Sequence, residues 1–167
     1  MRLTKKLMSE VISQTSGVDA VDVAMYLKGK EDVSELVVAK QMNLSVQEAR
    51  ALLYKLYEFN FVKFERKRDK HKGWHISHWD LVGDNIIKNH VESQQTRAIQ
   101  LRDRIEREQS NNFYMCKYAC SRNIFEDAVE RNFKCPECGA LMNPQDNSRT
   151  IEVLSGKLKE LETKMVT

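Results

Sequence analysis

Apolar residues recur at three- and four-residue intervals through most of the first sixty positions, the spacing that lines one face of a helix. Residues 3 to 28 read as helix in two pieces, broken at "SQTSGVD", with Asp19 opening the second. The stretch "GKEDVSELVVAKQMNLSVQEARALLYKLYEFN" then predicts two helices close together. Asp32 with Glu35 and Ser45 with Glu48 both fit the capping-box pattern, in which an N-cap oxygen and a carboxylate three residues later accept from amides at the helix start. Between them "QMNL" is short enough to turn the chain sharply, giving a helix-turn-helix. In the second of these helices Val46, Ala49, Leu53 and Leu56 mark the core face. The opposite face carries Gln47, Arg50, Ala51, Tyr54, Lys55 and Glu58, two basic side chains against one acidic, which is close to neutral.

The period then changes. In "FVKFERKRDKHKGWHISHWDL", Val62 and Phe64 alternate with polar residues and Ile76 resumes an extended pattern, which predicts a β-hairpin with its tip near residues 69 to 73. A helix-turn-helix followed by a hairpin is the pattern of a winged helix, with the charged hairpin as wing. From Asn85 to Arg107 the positions Ile87, Val91, Gln94, Ala98, Leu101 and Ile105 form a coiled-coil-like stripe on a long helix. Such a helix is about 35 Å long and would set the wing apart from the C-terminal part of the chain. Leu154, Leu158, Leu161 and Met165 mark a last amphipathic helix with Ser148 as candidate cap, a stripe suited to packing on a neighbouring element.

Composition narrows the class. With 6 Gly and 2 Pro among 167 residues the chain is expected to be mainly α with small β elements, an α+β fold. No stretch approaches the roughly 18 apolar residues of a membrane span, and "MRLTKKLMSEV" lacks a signal peptide's apolar run, so an intracellular, cytoplasmic protein is expected. The net charge of +3 is small, but its distribution is not even. Residues 1 to 60 carry eight basic and eight acidic side chains and the last 87 carry thirteen of each, whereas residues 61 to 80 carry six basic against three acidic. The excess sits in the hairpin.

All four cysteines lie between Phe113 and Met142, as two pairs with fourteen residues between them. In a reducing compartment such a cluster points to a metal rather than to disulfides. Cys135-Pro-Glu-Cys138-Gly139 has the form of a zinc knuckle, in which a tight turn brings two thiolates together and the glycine permits the backbone after it. Cys116 and Cys120 complete a four-sulfur set for one structural zinc ion in a small β-rich ribbon. A four-thiolate shell leaves no position for water, which argues against a catalytic zinc. The first pair has three intervening residues rather than two, which predicts a longer, strained loop. The plainer reading is four unrelated buried thiols.

The basic run Arg66, Lys67, Arg68, Lys70, His71 and Lys72, beside Trp74, combines charge for a phosphate backbone with an aromatic that can stack on an unpaired base. The alternative is an ordinary solvated hairpin whose tryptophan packs on the core. Trp79 is expected in the core. His75 and His78, three apart on a strand, point to opposite faces and do not form a metal pair. No phosphate-binding loop occurs, since Gly29-Lys30 is followed by Glu31, and no Ser or Cys stands in a recognisable nucleophile setting. An enzyme acting on a small-molecule substrate is not expected.

With helix-turn-helix, basic hairpin, long helix and four-cysteine ribbon in that order, the chain resembles archaeal transcription factor E, the counterpart of the alpha subunit of the general factor TFIIE. The stretches "EARALLYKLYEFNFVKFERKRDKHKGWHISHWDL" and "FYMC...FEDAVERNFKCPECGALM" carry the likeness. It implies a winged helix domain over 1–82, a linker helix over 83–111, a zinc ribbon over 112–147 and a terminal helix over 148–167. It also implies a non-enzymatic basal initiation factor that binds the clamp and stalk of RNA polymerase at the promoter and stabilises melted DNA, working at the nucleoid. TATA-binding protein and a second subunit are further candidate partners, and no membrane is involved. By the same resemblance Arg66, Lys67, Arg68, Lys70, Lys72 and Trp74 fall in the wing, near the upstream bubble and the non-template strand. The family's first knuckle is usually C-x-x-C followed by Gly, whereas here Ala119 stands at the second cysteine and Cys120 at the glycine. Either the ligand has moved by one residue or the site is degenerate.

Two other functions compete. A sequence-specific winged-helix repressor or metal and redox sensor would be a homodimer with the Ile87 to Ile105 stripe as its seam. A scaffold would use its stripes on another protein without touching DNA. The neutral helix face argues against the first, because affinity for duplex comes chiefly from Lys and Arg neutralising phosphates. The basic hairpin argues against the second.

Overall fold

The computed structural model describes residues 2–68 and 73–166. They form two compact units, Met1–Glu92 and Ser93–Thr167, and the division falls inside one helix.

The first unit opens with α1 (Lys5–Thr15), started by the Thr4 hydroxyl accepting from Leu7 N–H, and α2 (Asp19–Leu27). The short strand β1 (Val33–Ser34) leads into α3 (Glu35–Met42), which Asn43 closes in the left-handed conformation before α4 (Val46–Glu58). Strands β2 (Val62–Arg68) and β3 (His75–Leu81) pair antiparallel from Val62 opposite Leu81 to Arg68 opposite His75. With β1 on the far side the sheet order is β1-β3-β2, the arrangement of a winged helix. Its core gathers Met8, Ile12, Leu27, Leu53, Leu56 and Phe61 from the helices and the turn, with Trp79 from β3. Trp79 is fully covered, with the ring of Phe64 at 4.7 Å and that of Tyr54 at 5.6 Å.

One of the two capping boxes forms. Ser45 and Glu48 bond reciprocally at the start of α4. The other does not, because Ser34 caps α3 by accepting from Leu36 N–H at 3.2 Å, two residues after Asp32. Glu35 instead turns inward, where it is 2% exposed and accepts two hydrogen bonds from Arg50 of α4, at 2.8 and 2.5 Å. The Arg50 hydrogen bonds hold the Glu35 carboxyl below the ordinary glutamate value. A depressed folded-state pKa contributes stability above the ordinary value of 4.5 that is lost as pH falls through the folded one. Acid titration of unfolding is therefore expected to show a decline below about pH 4.5 that is shallower in Glu35→Gln. An unchanged acid slope in that variant would remove the pair from the account.

Helix α5 (Gly83–Ser110) starts in the first unit and ends in the second. At its start the residue inserted into the core is Ile86, fully buried, while Ile87 of the expected stripe is half-covered and Val91 is exposed. Further along, Ala98 is buried and Leu101 and Ile105 are half-buried.

The second unit adds β4 (Phe113–Cys116), β5 (Arg122–Ile124), α6 (Phe125–Glu130), β6 (Met142–Gln145) and α7 (Ser148–Val166). The sheet order is β5-β4-β6, antiparallel throughout. The segment between the cysteine pairs is thus less β-rich than its length suggested, since it contains a short helix. Ser148 does not cap α7; Asp146 does, accepting from the Ser148 amide at 2.9 Å and its hydroxyl at 2.6 Å. Arg102 of α5 pairs with Glu162 of α7 at 2.5 Å, and Asn147 donates to the Glu108 carbonyl at 2.6 Å, so the two helices run side by side in opposite directions. Leu154 and Leu161, two of the stripe residues of α7, are buried. No helix of the described residues is long and apolar enough to cross a membrane.

Candidate metal centre and wing

The cysteines converge. One sulfur from each of Cys116, Cys120, Cys135 and Cys138 lies within 4.8 Å of the others, and Cys116 Sγ is 3.5 Å from Cys138 Sγ. Four sulfurs at about 2.3 Å from a tetrahedral zinc would stand about 3.8 Å apart, so this spacing suits the ion. Cys116 arrives at the end of β4 and is buried, as is Cys135, while Cys120 and Cys138 are exposed on the loops.

Two of the sulfurs have hydrogen-bonding groups beside them. Tyr118 N–H donates to Cys116 Sγ at 3.4 Å, and the Ser121 hydroxyl lies 3.3 Å from Cys135 Sγ. That contact with Ser121 is the foremost reason the Cys135 thiol is drawn down to about 6. Hydrogen bonds with Cys138 and Cys116 push the Cys120 thiol up to about 12. Four negative sulfurs do not share so small a space without a cation among them, and a metal that supplies this charge displaces their protons. Four soft ligands in a closed set suit a structural ion, which would cross-link the end of β4 and the two cysteine loops.

Behind the centre lies a polar brace that local sequence patterns did not reveal. Glu108, near the end of α5 and 5% exposed, accepts from Arg122 at 2.9 and 2.7 Å and from Asn147 at 3.1 Å. Arg122 also donates to Gln145 at 2.5 Å and stacks over Phe113 at 3.6 Å. Its hydrogen bonds hold the Glu108 carboxyl below the ordinary glutamate range. One arginine thereby ties β5 to β6 and both to the long helix. The partners are 14 and 23 residues apart in sequence, beyond any local signal.

In the wing, strand alternation divides the basic run between two faces. Arg66 and Arg68 follow Phe64 on the face that Trp79 shares, with the Arg66 guanidinium 6.0 Å above the Phe64 ring. Lys67 points the other way and is paired with Asp32, with Glu65 at 4.0 Å. Trp74 is 65% exposed at the end of the turn, so it is not a core residue. Lys70, His71 and Lys72 lie outside the described residues. Four thiols excepted, no group of three or more metal-ligating side chains occurs among the described residues, and His75 and His78 stand three apart on β3, on alternate faces.

On α4 the outward face is poorer in positive charge than its sequence suggests. Arg50 is consumed by Glu35, which leaves Lys55 and Glu58 to cancel.

The model of the TFIIE alpha subunit matches residues 6–111, nearly all of the winged helix and the whole of α5. The chain belongs to the TFIIE alpha family. Transcription factor E of Metallosphaera sedula is 33% identical over 158 residues, covering 94% of this chain and 90% of that protein. Transcription factor E of Saccharolobus islandicus is 35% identical over 148 residues, 87% of this chain and 84% of that one. The Methanococcus maripaludis protein of that name is 27% identical over 162 residues, 96% and 93% of the two chains. The TFIIE alpha family consists of transcription factors, not enzymes, which agrees with the absence of nucleophile and phosphate-loop motifs from the sequence. The TFIIE alpha match ends before the first cysteine, so the metal centre rests on its own geometry.

Proposed function

We propose that this chain joins RNA polymerase at the promoter and stabilises the melted DNA of the open complex, with its wing beside the upstream edge of the bubble and the non-template strand. Family membership supports the general role in transcription initiation. The observation that carries the mechanism is the pairing of Arg50 with Glu35. It removes a cation from the helix that a sequence-specific winged helix would press into the major groove, and leaves positive charge concentrated on the hairpin. Arg66 and Arg68, with exposed Trp74, then suit a strand with unpaired bases better than a duplex.

A factor shifts the opening equilibrium only by its differential affinity for the open state, so a few contacts suffice. In this reading residues 1–82 act on DNA and the polymerase clamp, 83–111 link, 112–147 form a ribbon around one zinc ion, and 148–167 brace it. The stalk, TATA-binding protein and a second subunit are the further partners, and the site of action is the cytoplasmic nucleoid. The repressor reading loses support because Ala98, in the middle of its dimer seam, is already covered within a single chain.

Replacing Arg66, Lys67 and Arg68 together by alanine is expected to lower open-promoter signal up to about tenfold, since each exposed charge contributes modestly. Lys67→Ala alone should do least, since Asp32 already neutralises it. Permanganate reactivity of the bubble measures this; equal signal from the triple variant and the parent protein would remove the wing from the mechanism.

A further inference from the structure

The two cysteine loops are closed by the same backbone bond. Cys135 N–H donates to Ala140 O at 2.8 Å in one and Cys116 N–H to Ser121 O at 3.0 Å in the other, each bond reaching five residues ahead. The first loop is therefore no longer than the second, contrary to what the thiol spacing predicts. What differs is the order of two tasks inside it. In the second loop the thiol comes third after the opening cysteine, at Cys138, and the left-handed turn comes fourth, at Gly139 with φ 71°. In the first loop the left-handed turn comes third, at Ala119 with φ 55°, and the thiol comes fourth, at Cys120. The opening cysteine is buried and the second exposed in both loops, and all four sulfurs still meet within 4.8 Å.

We propose that Cys120 is the fourth metal ligand, brought to the centre by exchanging the places of turn and thiol within a loop of unchanged length, and that left-handed Ala119 weakens the metal's hold. The inference rests on reading the cluster as a structural zinc site. Its physical basis is the turn itself. A chain that doubles back within five residues needs one position with positive φ, and moving that position by one residue re-aims the next side chain. Glycine adopts this conformation freely, whereas alanine sets its Cβ against the neighbouring carbonyl oxygen. The metal-bound loop must hold that conformation and the released loop need not, so the strain acts against binding. The Ser121 hydroxyl, next after Cys120 and 3.3 Å from Cys135 Sγ, ties the re-aimed segment to the other loop.

Cobalt titration of the full chain, followed by competition with zinc and a chromophoric chelator, separates the outcomes. Sulfur-to-cobalt charge-transfer absorption scales with the number of thiolates. The parent protein should therefore give the four-thiolate intensity, and Cys120→Ala should lose about one quarter of it and bind zinc more than roughly 100-fold more weakly. Ala119→Gly should keep the full intensity and bind zinc about fivefold tighter or more. The double variant Ala119→Cys with Cys120→Gly copies the order of the second loop and should retain four thiolates even if Cys120→Ala fails to fold. Equal intensity in the parent and Cys120→Ala would overturn the inference while leaving a three-cysteine zinc site in place. No gain in Ala119→Gly would overturn the role of the turn, and a parent protein that takes up neither metal would overturn the zinc reading itself.

Discussion

Treatment with a strong chelator is expected to take metal content from about one zinc per chain to none and to unfold the ribbon between residues 113 and 145. The reason is the size of its core. Between 113 and 145 only Cys116, Ala128, Cys135 and Met142 are buried, and two of those four belong to the cysteine cluster. The strands of its sheet have four, three and four residues. Such a unit buries too little apolar surface to offset the entropy of ordering its chain. A structural zinc supplies about 10–16 kcal/mol of apparent binding energy in comparable small domains, far more than any single contact here. Elemental analysis and amide chemical-shift dispersion measure the two effects. The first unit, with a core of its own, should keep its dispersed spectrum; a ribbon that stays dispersed after chelation would show that the Glu108–Arg122 brace suffices without metal.

Trp79→Ala should destabilise the first unit by about 4 kcal/mol, within the range for large aromatic residues removed from a core. Trp79 is fully buried on the wing strand β3 and touches Phe64 on β2 and Tyr54 and Tyr57 on α4, with ring centroids between 4.7 and 6.4 Å. Its loss therefore loosens the hairpin from the helix as well as opening a cavity. Trp79→Phe should lose much less. It keeps an aromatic ring in place and deletes the indole Nε1, a buried donor that has no hydrogen-bond acceptor among the described residues. Denaturant unfolding of the first unit checks both, and a loss for phenylalanine as large as that for alanine would mean that the indole N–H is held by something essential.

Two identical-looking capping signals had different outcomes, and the difference marks how far local reading extends. Ser45 and Glu48 formed their box because both halves lie on one turn, with nothing else competing for them. Asp32 and Glu35 have the same spacing, but Asp32 is held at φ 56° with Lys67 on its carboxylate and its own N–H bonded to Asp80 at 2.5 Å. Glu35 is drawn inward by Arg50, fifteen residues away. The stripe of the long helix was legible as helix but not in its depth, since Ile86 rather than Ile87 enters the core. Which of two neighbouring isoleucines is inserted depends on how the start of α5 docks on the core it joins, and periodicity alone carries no such information.

By themselves, the residues determine the order of helices and hairpin, the concentration of positive charge at the wing and the presence of four sulfurs in one short stretch. These depend on periodicity, on charge along the chain and on spacing within a turn or two, all properties of neighbours. Only the folded chain decides that Arg50 is paired with Glu35, that Arg66 and Arg68 share one face of the wing while Lys67 is neutralised on the other, and that Cys120 reaches the other three sulfurs. Each of those outcomes requires groups distant in sequence to meet, and the partner that wins is chosen by packing geometry, which no local pattern encodes.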